Sequence, residues 1–195
     1  MTARNPPWST AVPRIFTANQ DTIVNQYIWI FPVLFIFHDM EEVIGMKKFM
    51  ERNREEIIRR YPFTQRILAI YRKGTSTEAF ALGVYEEFLV LIAICALVEL
   101  TGAEWAMGIW FGGLVGFTVH LVIHLLQAIA IRKYIPAIIT SILALPPSVL
   151  LVKHTAWDMS LMAVIGAIIG IGGIVVNLIL AHKLMQWYDR KNNSD

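Results

Sequence analysis

Residues 35–46 read FIFHDMEEVIGM, and this stretch places one histidine and three carboxylates directly after the apolar and aromatic run at residues 27–37. An unpaired charge in apolar surroundings costs several kcal/mol or is lost through a pKa shift. Chance is therefore a poor explanation for four ionisable groups within five residues. The stretch is either the polar end of a helix or part of a site.

The composition indicates a membrane protein, because 56% of the 195 residues are hydrophobic and only 16% are charged. A spanning helix needs about 20 residues, so a chain of this length forms a single bundle. Cys95 is the only cysteine, which excludes an intramolecular disulfide and a cysteine metal cluster. We expect a lipid bilayer around the protein and no nucleic-acid partner, and the sequence does not indicate an oligomeric state.

The predicted fold is all-α, a polytopic membrane helix bundle with about five transmembrane helices. Apolar runs place the spans at residues 22–46, 78–100, 105–131, 134–152 and 157–182. Residues 1–21 and 183–195 are predicted polar tails around one membrane domain, residues 22–182. Residues 47–73 are basic, with apolar residues at helical spacing, and predict two interfacial cytoplasmic helices broken at Pro62.

The positive charges alternate between the connecting segments. Lys and Arg number nine between the first two spans, none between the second and third, two in the next connection, one in the next and three after the last span. By the positive-inside rule, this pattern puts the N-terminus outside and the C-terminus in the cytoplasm of a cell membrane.

Ionisable groups in three spans are predicted to lie at similar depths below the cytoplasmic edge. With about 1.5 Å of rise per residue, His38, His124 and the pair Glu86/Glu87 each come to lie about 12 Å deep. His38, Glu41 and Glu42 have i, i+3, i+4 spacing and share one side of their helix, as do His120 and His124. Glu86 and Glu87 are about 100° apart on their helix, so only one of them is expected to point fully inward.

A shared metal site explains this set better than a solvated helix end or hydrogen-bonded core histidines, because Lys and Arg are absent from the middle of every span. A metal ion would supply the missing positive charge. The candidate ligands are His38, Glu41, Glu42, Glu86, Glu87, His120 and His124. Asn177, Gln127 and Tyr85 are candidates for polar groups around the site, whereas Asp39 is expected to be a bystander.

His38, Glu41 and Glu42 in the sequence HDMEE, within a small hydrophobic multi-span chain, resemble the membrane proteins named after their HXXEE motif. The glutamates at 86 and 87 and the histidines at 120 and 124 are similar to the rest of that family's pattern, over about residues 30–150. The resemblance implies that these polar positions belong together. It implies no particular reaction.

Imidazole and carboxylate ligands without thiolates favour zinc or iron. In a mononuclear zinc site, His38 and Glu42 would bind the metal with one or both of His120 and His124, and Glu41 or Glu87 would be the catalytic general base. This arrangement suits a hydrolase open to the cytoplasmic side and acting on a lipidic or membrane-peptide substrate, the function we favour. The alternatives are a di-iron carboxylate oxidoreductase acting on a lipid or quinone and a non-enzymatic ion-binding or transport protein.

Overall fold

The computed structural model describes residues 27–65, 75–156 and 159–192, and their regular structure is entirely helical. Predictions for the N-terminal tail, for the second interfacial helix beyond residue 65 and for residues 193–195 lie outside these ranges. Five long helices are described: α1 (Ile30–Arg60), α2 (Thr77–Thr101), α3 (Glu104–Ile131), α4 (Ile138–Ala156) and α5 (Leu161–Asn192).

The predicted all-α membrane bundle is confirmed, since α2 to α5 are each long and apolar enough to cross a membrane. The polar groups of HDMEE and the basic residues after Met46 make α1 less apolar, so its crossing and the orientation of the bundle stay predictions. Residues 47–60 continue α1 without a break and do not form a separate helix. Residues 183–192 likewise continue α5.

Helices α3 and α5 pack backbone to backbone. Gly108 and Gly112 on α3 and Gly166 and Gly170 on α5 follow a small-xxx-small spacing that brings the two helix axes close together. A β-carbon on Gly170 would lie 2.5 Å from the carbonyl oxygen of Ile109. The contact therefore has no room for a side chain, and it fixes α3, which supplies two of the candidate ligands, against the longest apolar helix.

A buried stripe along α3 leads from the hydrophobic core to the polar site. Trp110, Leu114, Phe117, Leu121 and His124 recur at spacings of three and four residues, and all five are buried. On α1, Phe31 meets this stripe, with its ring 6.0 Å from that of Trp110 and 5.4 Å from that of Phe117. The same faces that form the apolar core thus continue into the histidines.

The loop between α3 and α4 is packed into the bundle. Ile135, Pro136 and Ala137 are buried, and Pro136 lies against Gly45 of α1. Nearby, Lys133 forms an ion pair of 2.6 Å with Glu56, which holds the pKa of the Glu56 carboxyl below its ordinary value. These contacts hold residues 45–56 of α1 against the loop that follows the C-terminal end of α3. The fourth helix consequently begins at Ile138, after the loop.

The α3–α5 contact predicts that two matched glycine substitutions on α5 have different effects on stability. Gly170→Ala places its methyl group against the Ile109 carbonyl and is expected to lower the unfolding free energy by about 1–3 kcal/mol. Gly173 has nothing within 4 Å of the added β-carbon, so Gly173→Ala is expected to be neutral or stabilising. Thermal unfolding in detergent measures both, and equal effects would contradict the close packing.

Candidate metal centre

Helix α1 directs four ionisable side chains toward different neighbours. At about 100° per residue, Glu42 lies about 40° and Asp39 about 100° to one side of His38, and Glu41 lies about 60° to the other side. His38 is fully buried, with its ring 5.6 Å from that of Phe117 on α3. The HDMEE turn therefore faces α4, α3 and α2 in succession across one broad arc.

Four of the predicted ligands meet in one cluster, His38, Glu42, His120 and His124, which we call the His/Glu cluster. One potential ligand atom from each lies within 4.8 Å of all the others. Glu42 Oε1 is 2.8 Å from His124 Nε2 and 3.8 Å from His120 Nε2. The two Nε2 atoms of His120 and His124 are 3.0 Å apart.

These separations suit a shared cation. Ligands held tetrahedrally at about 2.0–2.1 Å from zinc are about 3.3 Å from one another. The separations among Glu42, His120 and His124, from 2.8 to 3.8 Å, bracket that value. His38 lies somewhat farther out, and its Nε2 is buried without a hydrogen-bond partner among the described residues. An unsatisfied buried nitrogen costs about 1–3 kcal/mol, a cost that metal binding would remove.

Thr140 of α4 determines which nitrogen of His38 carries the proton. Its hydroxyl lies 3.2 Å from His38 Nδ1, 2.7 Å from a Glu41 oxygen and 3.2 Å from the Ala137 carbonyl. The hydroxyl has one hydrogen, and the carboxylate and carbonyl oxygens can only accept. His38 Nδ1 must therefore donate to Thr140, which leaves the lone pair of Nε2 free for a metal.

Glu41 holds the N-terminus of α4 instead of joining the His/Glu cluster. Its carboxylate accepts hydrogen bonds from the backbone N–H groups of Ile139 and Thr140 and from the Thr140 hydroxyl. It also accepts from the Tyr134 hydroxyl, and this hydrogen bond raises the pKa of Tyr134 to about 12. Glu41 thus caps α4 from a different helix and positions Thr140 beside His38.

On the α2 side, Glu86 and Glu87 have different surroundings. Glu86 accepts a hydrogen bond of 3.3 Å from Asn177 on α5. Glu87 is half-buried, and its carboxylate is close enough to that of Glu42 for their negative charges to repel each other. Asp39, the predicted bystander, is buried. Its negative charge would be repelled by those of Glu42 and Glu87. Tyr85 and Gln127 are exposed and do not contribute to the cluster.

Comparison with known families places most of the chain in one family. A family model for a protein of unknown function with HXXEE motif matches residues 29–152. This chain belongs to the HXXEE family. The match covers more than half of the chain and includes the whole His/Glu cluster, whereas α5 lies beyond it. No curated protein and no solved structure matches the chain.

Sequence reasoning missed Thr140 and Tyr134 and left Asp39 aside. A threonine in an apolar helix is common, and its contact with His38 depends on how α4 docks against α1. The available signal for Asp39 was its spacing, since Asp39 and Glu42 are three residues apart and share a side of the helix.

The hydrogen bond from His38 to Thr140 predicts a graded effect on metal affinity. Thr140→Val keeps the shape of the side chain but removes the acceptor for His38 Nδ1, and we expect it to weaken metal binding about 10–100-fold. Thr140→Ser retains the hydroxyl and is expected to bind metal as the wild type does. Competition titration against a zinc-responsive dye measures both affinities.

Thr118→Val is the matched control for this substitution, because the Thr118 hydroxyl bonds to the Leu114 carbonyl within its own helix. It is expected to leave metal affinity unchanged. If Thr140→Val binds as tightly as this control, Thr140 does not position His38.

Proposed function

We propose that this HXXEE protein is a membrane-embedded metal-dependent hydrolase whose metal is held by the His/Glu cluster and whose substrate is a lipid or a membrane peptide. The supporting observation is the convergence of three imidazole groups and one carboxylate in a bundle of apolar helices, within 4.8 Å of one another. No Lys or Arg occurs in residues 74–131, so a metal ion is the fitting counter-charge for Glu42.

The ligand types determine the class of metal and its chemistry. Nitrogen and oxygen ligands without thiolates suit zinc or ferrous iron. Such an ion, when bound, acts as a Lewis acid on a carbonyl or phosphoryl oxygen and lowers the pKa of a coordinated water. The more exposed His120 completes a set of four ligands, and a five-coordinate ion would retain a position for substrate or water.

Glu87 is the candidate proton acceptor in this proposal. Its carboxylate lies within electrostatic range of Glu42 and accepts no hydrogen bond from the described residues. Glu41, the other candidate base, is occupied by Tyr134 and Thr140. We therefore assign proton transfer from water to Glu87 and assign the positioning of His38 to Glu41 through Thr140.

The exposure of the site favours a substrate that arrives from the bilayer. The His120 side chain is 43% exposed, and its neighbours on the surface of α3 are the exposed apolar residues Val119 and Ile123. The buried α3–α4 loop packs against α1, with Pro136 in contact with Gly45. An ester, amide or phosphoester dissolved in the membrane would reach His120 from this apolar surface.

Metal content and hydrolysis together test the proposal. Purified wild-type protein is expected to retain at least one zinc or iron per chain and to hydrolyse members of a panel of lipid esters and phosphoesters in nanodiscs. A His38→Ala plus His124→Ala double variant is expected to lose the cluster metal and the activity, because it removes two of the four ligands.

His154→Ala is the control, since His154 contacts Tyr27 rather than the cluster. It is expected to retain both metal and activity. Metal-free wild-type protein, or undiminished metal in the double variant, would refute the site. Metal without hydrolysis, together with a visible absorption band in the iron-loaded protein, would favour the oxidoreductase alternative.

The lipid-facing opening predicts that two chelators remove the metal at different rates. In nanodiscs, the membrane-soluble chelator 1,10-phenanthroline is expected to strip zinc faster than the water-soluble chelator EDTA, because only the former can approach through the bilayer. Loss of zinc is followed by elemental analysis of the protein after rapid desalting. Equal rates with both chelators would contradict access from the membrane.

A further inference from the structure

Helix α5 packs first on α3 and then on α2. Its contact with α3 includes Gly116, which lies against Ile174. Three residues further along α5, the side-chain N–H of Asn177 donates to Glu86 on α2, and the later turns of α5 pack on the first turns of α2. Helix α5 therefore passes from α3 to α2 between Ile174 and Asn177.

Beyond this change of partner, one side of α3 is left uncovered by the described helices. His120 lies one turn after Gly116, and its side chain is 43% exposed. Ile123 and Gln127 follow on the same side of α3 and are exposed as well. We call the opening bounded by His120, Glu86 and Asn177 the fork.

His120 and Asn177 lie at the same level on either side of the fork. Successive glycines of α3 meet successive residues of α5 in the same order, so the two helices run parallel. His120 is four residues beyond Gly116, a rise of about 6 Å, and Asn177 is three residues beyond Ile174, a rise of about 4.5 Å. Because Gly116 and Ile174 are in contact, the two polar side chains differ in level by only about 1.5 Å.

The pair of Glu86 and Asn177 has unused hydrogen-bond acceptors. Their mutual hydrogen bond of 3.3 Å uses Oε2 of Glu86, and the described residues donate no other hydrogen bond to either side chain. Glu86 Oε1 and the side-chain oxygen of Asn177 are thus free to accept, and both side chains are partly buried. Glu86 lies about 14 Å along α2, where the bilayer supplies no water to satisfy them.

We propose that the fork binds the lipid substrate of the hydrolase, with Glu86 and Asn177 accepting hydrogen bonds from a hydroxyl group next to the scissile bond. The exposed apolar side chains beside His120, such as Ile123, would contact the acyl chain. A neutral hydroxyl suits this position better than an ammonium group, whose charge is costly to bring to this depth. The inference rests on the proposed function and narrows the substrate to acyl esters of polyols.

Binding of a lipid that cannot be hydrolysed tests this subsite without any assay of activity. The probe is hexadecylglycerol, an ether lipid with two hydroxyl groups, and the comparison is its dimethyl ether, in which both hydroxyls are blocked. Zinc-loaded wild-type protein in detergent is expected to bind the hydroxyl probe about 10-fold more tightly, the effect of one or two hydrogen bonds. Native mass spectrometry measures both affinities.

Asn177→Leu and Glu86→Leu are each expected to abolish this preference and to retain the zinc, because neither residue belongs to the His/Glu cluster. Glu99→Leu is the matched control on α2, since Glu99 bonds to Trp29 near the other end of that helix. It is expected to keep the preference. Equal binding of the two probes by the wild type would overturn the subsite, and so would a preference that survives both substitutions.

Hydrolysis of the corresponding esters, hexadecanoylglycerol and its dimethyl ether, separates the subsite from the proposed function. A wild type that hydrolyses both esters equally well and binds both probes equally refutes the subsite and leaves the hydrolase standing. A wild type that prefers the hydroxyl probe but hydrolyses no ester or phosphoester supports the hydroxyl-binding fork and refutes the hydrolase.

Discussion

A carboxylate buried among lipid-surrounded helices has to be paired or neutralised, and this constraint acts most strongly on Glu42. Among the described residues, the only Lys, Arg or His side-chain nitrogens within 4 Å of its carboxylate belong to His120 and His124. Those histidines are held by the buried stripe of α3, and α3 is in turn fixed by the glycine contact with α5. The apolar packing of the bundle thus determines whether the polar centre can form.

The His/Glu cluster could be predicted from the sequence, because the depth of a residue in the membrane and its spacing along a helix are both local properties. Depth requires only the span boundaries, and spacing fixes how side chains on one helix are arranged relative to one another. Neither property states which neighbouring helix a side chain faces. For that reason the sequence could not separate the part played by Glu41 from that of Glu42, although they are adjacent.

The contacts that could not be predicted from the sequence lie at the loop between α3 and α4 and the start of α4. Thr140 reaches His38 because α4 starts only after a buried loop, and the position of that start depends on the packing of Pro136 against Gly45. A hydropathy pattern begins the span at Tyr134 and so cannot identify which residues occupy the first turn of α4. The tautomer of His38 is consequently a property of tertiary structure.

The distribution of partners around α1 has a consequence for how the chain enters the membrane. Taken alone, α1 is the described helix least suited to hydrocarbon, because it carries His38, Asp39, Glu41 and Glu42 in its apolar half. Glu42 and Glu41 contact residues of α3 and α4, both of which are synthesised later. If α1 crosses the bilayer as the sequence predicts, its stability there depends on helices that are synthesised after it.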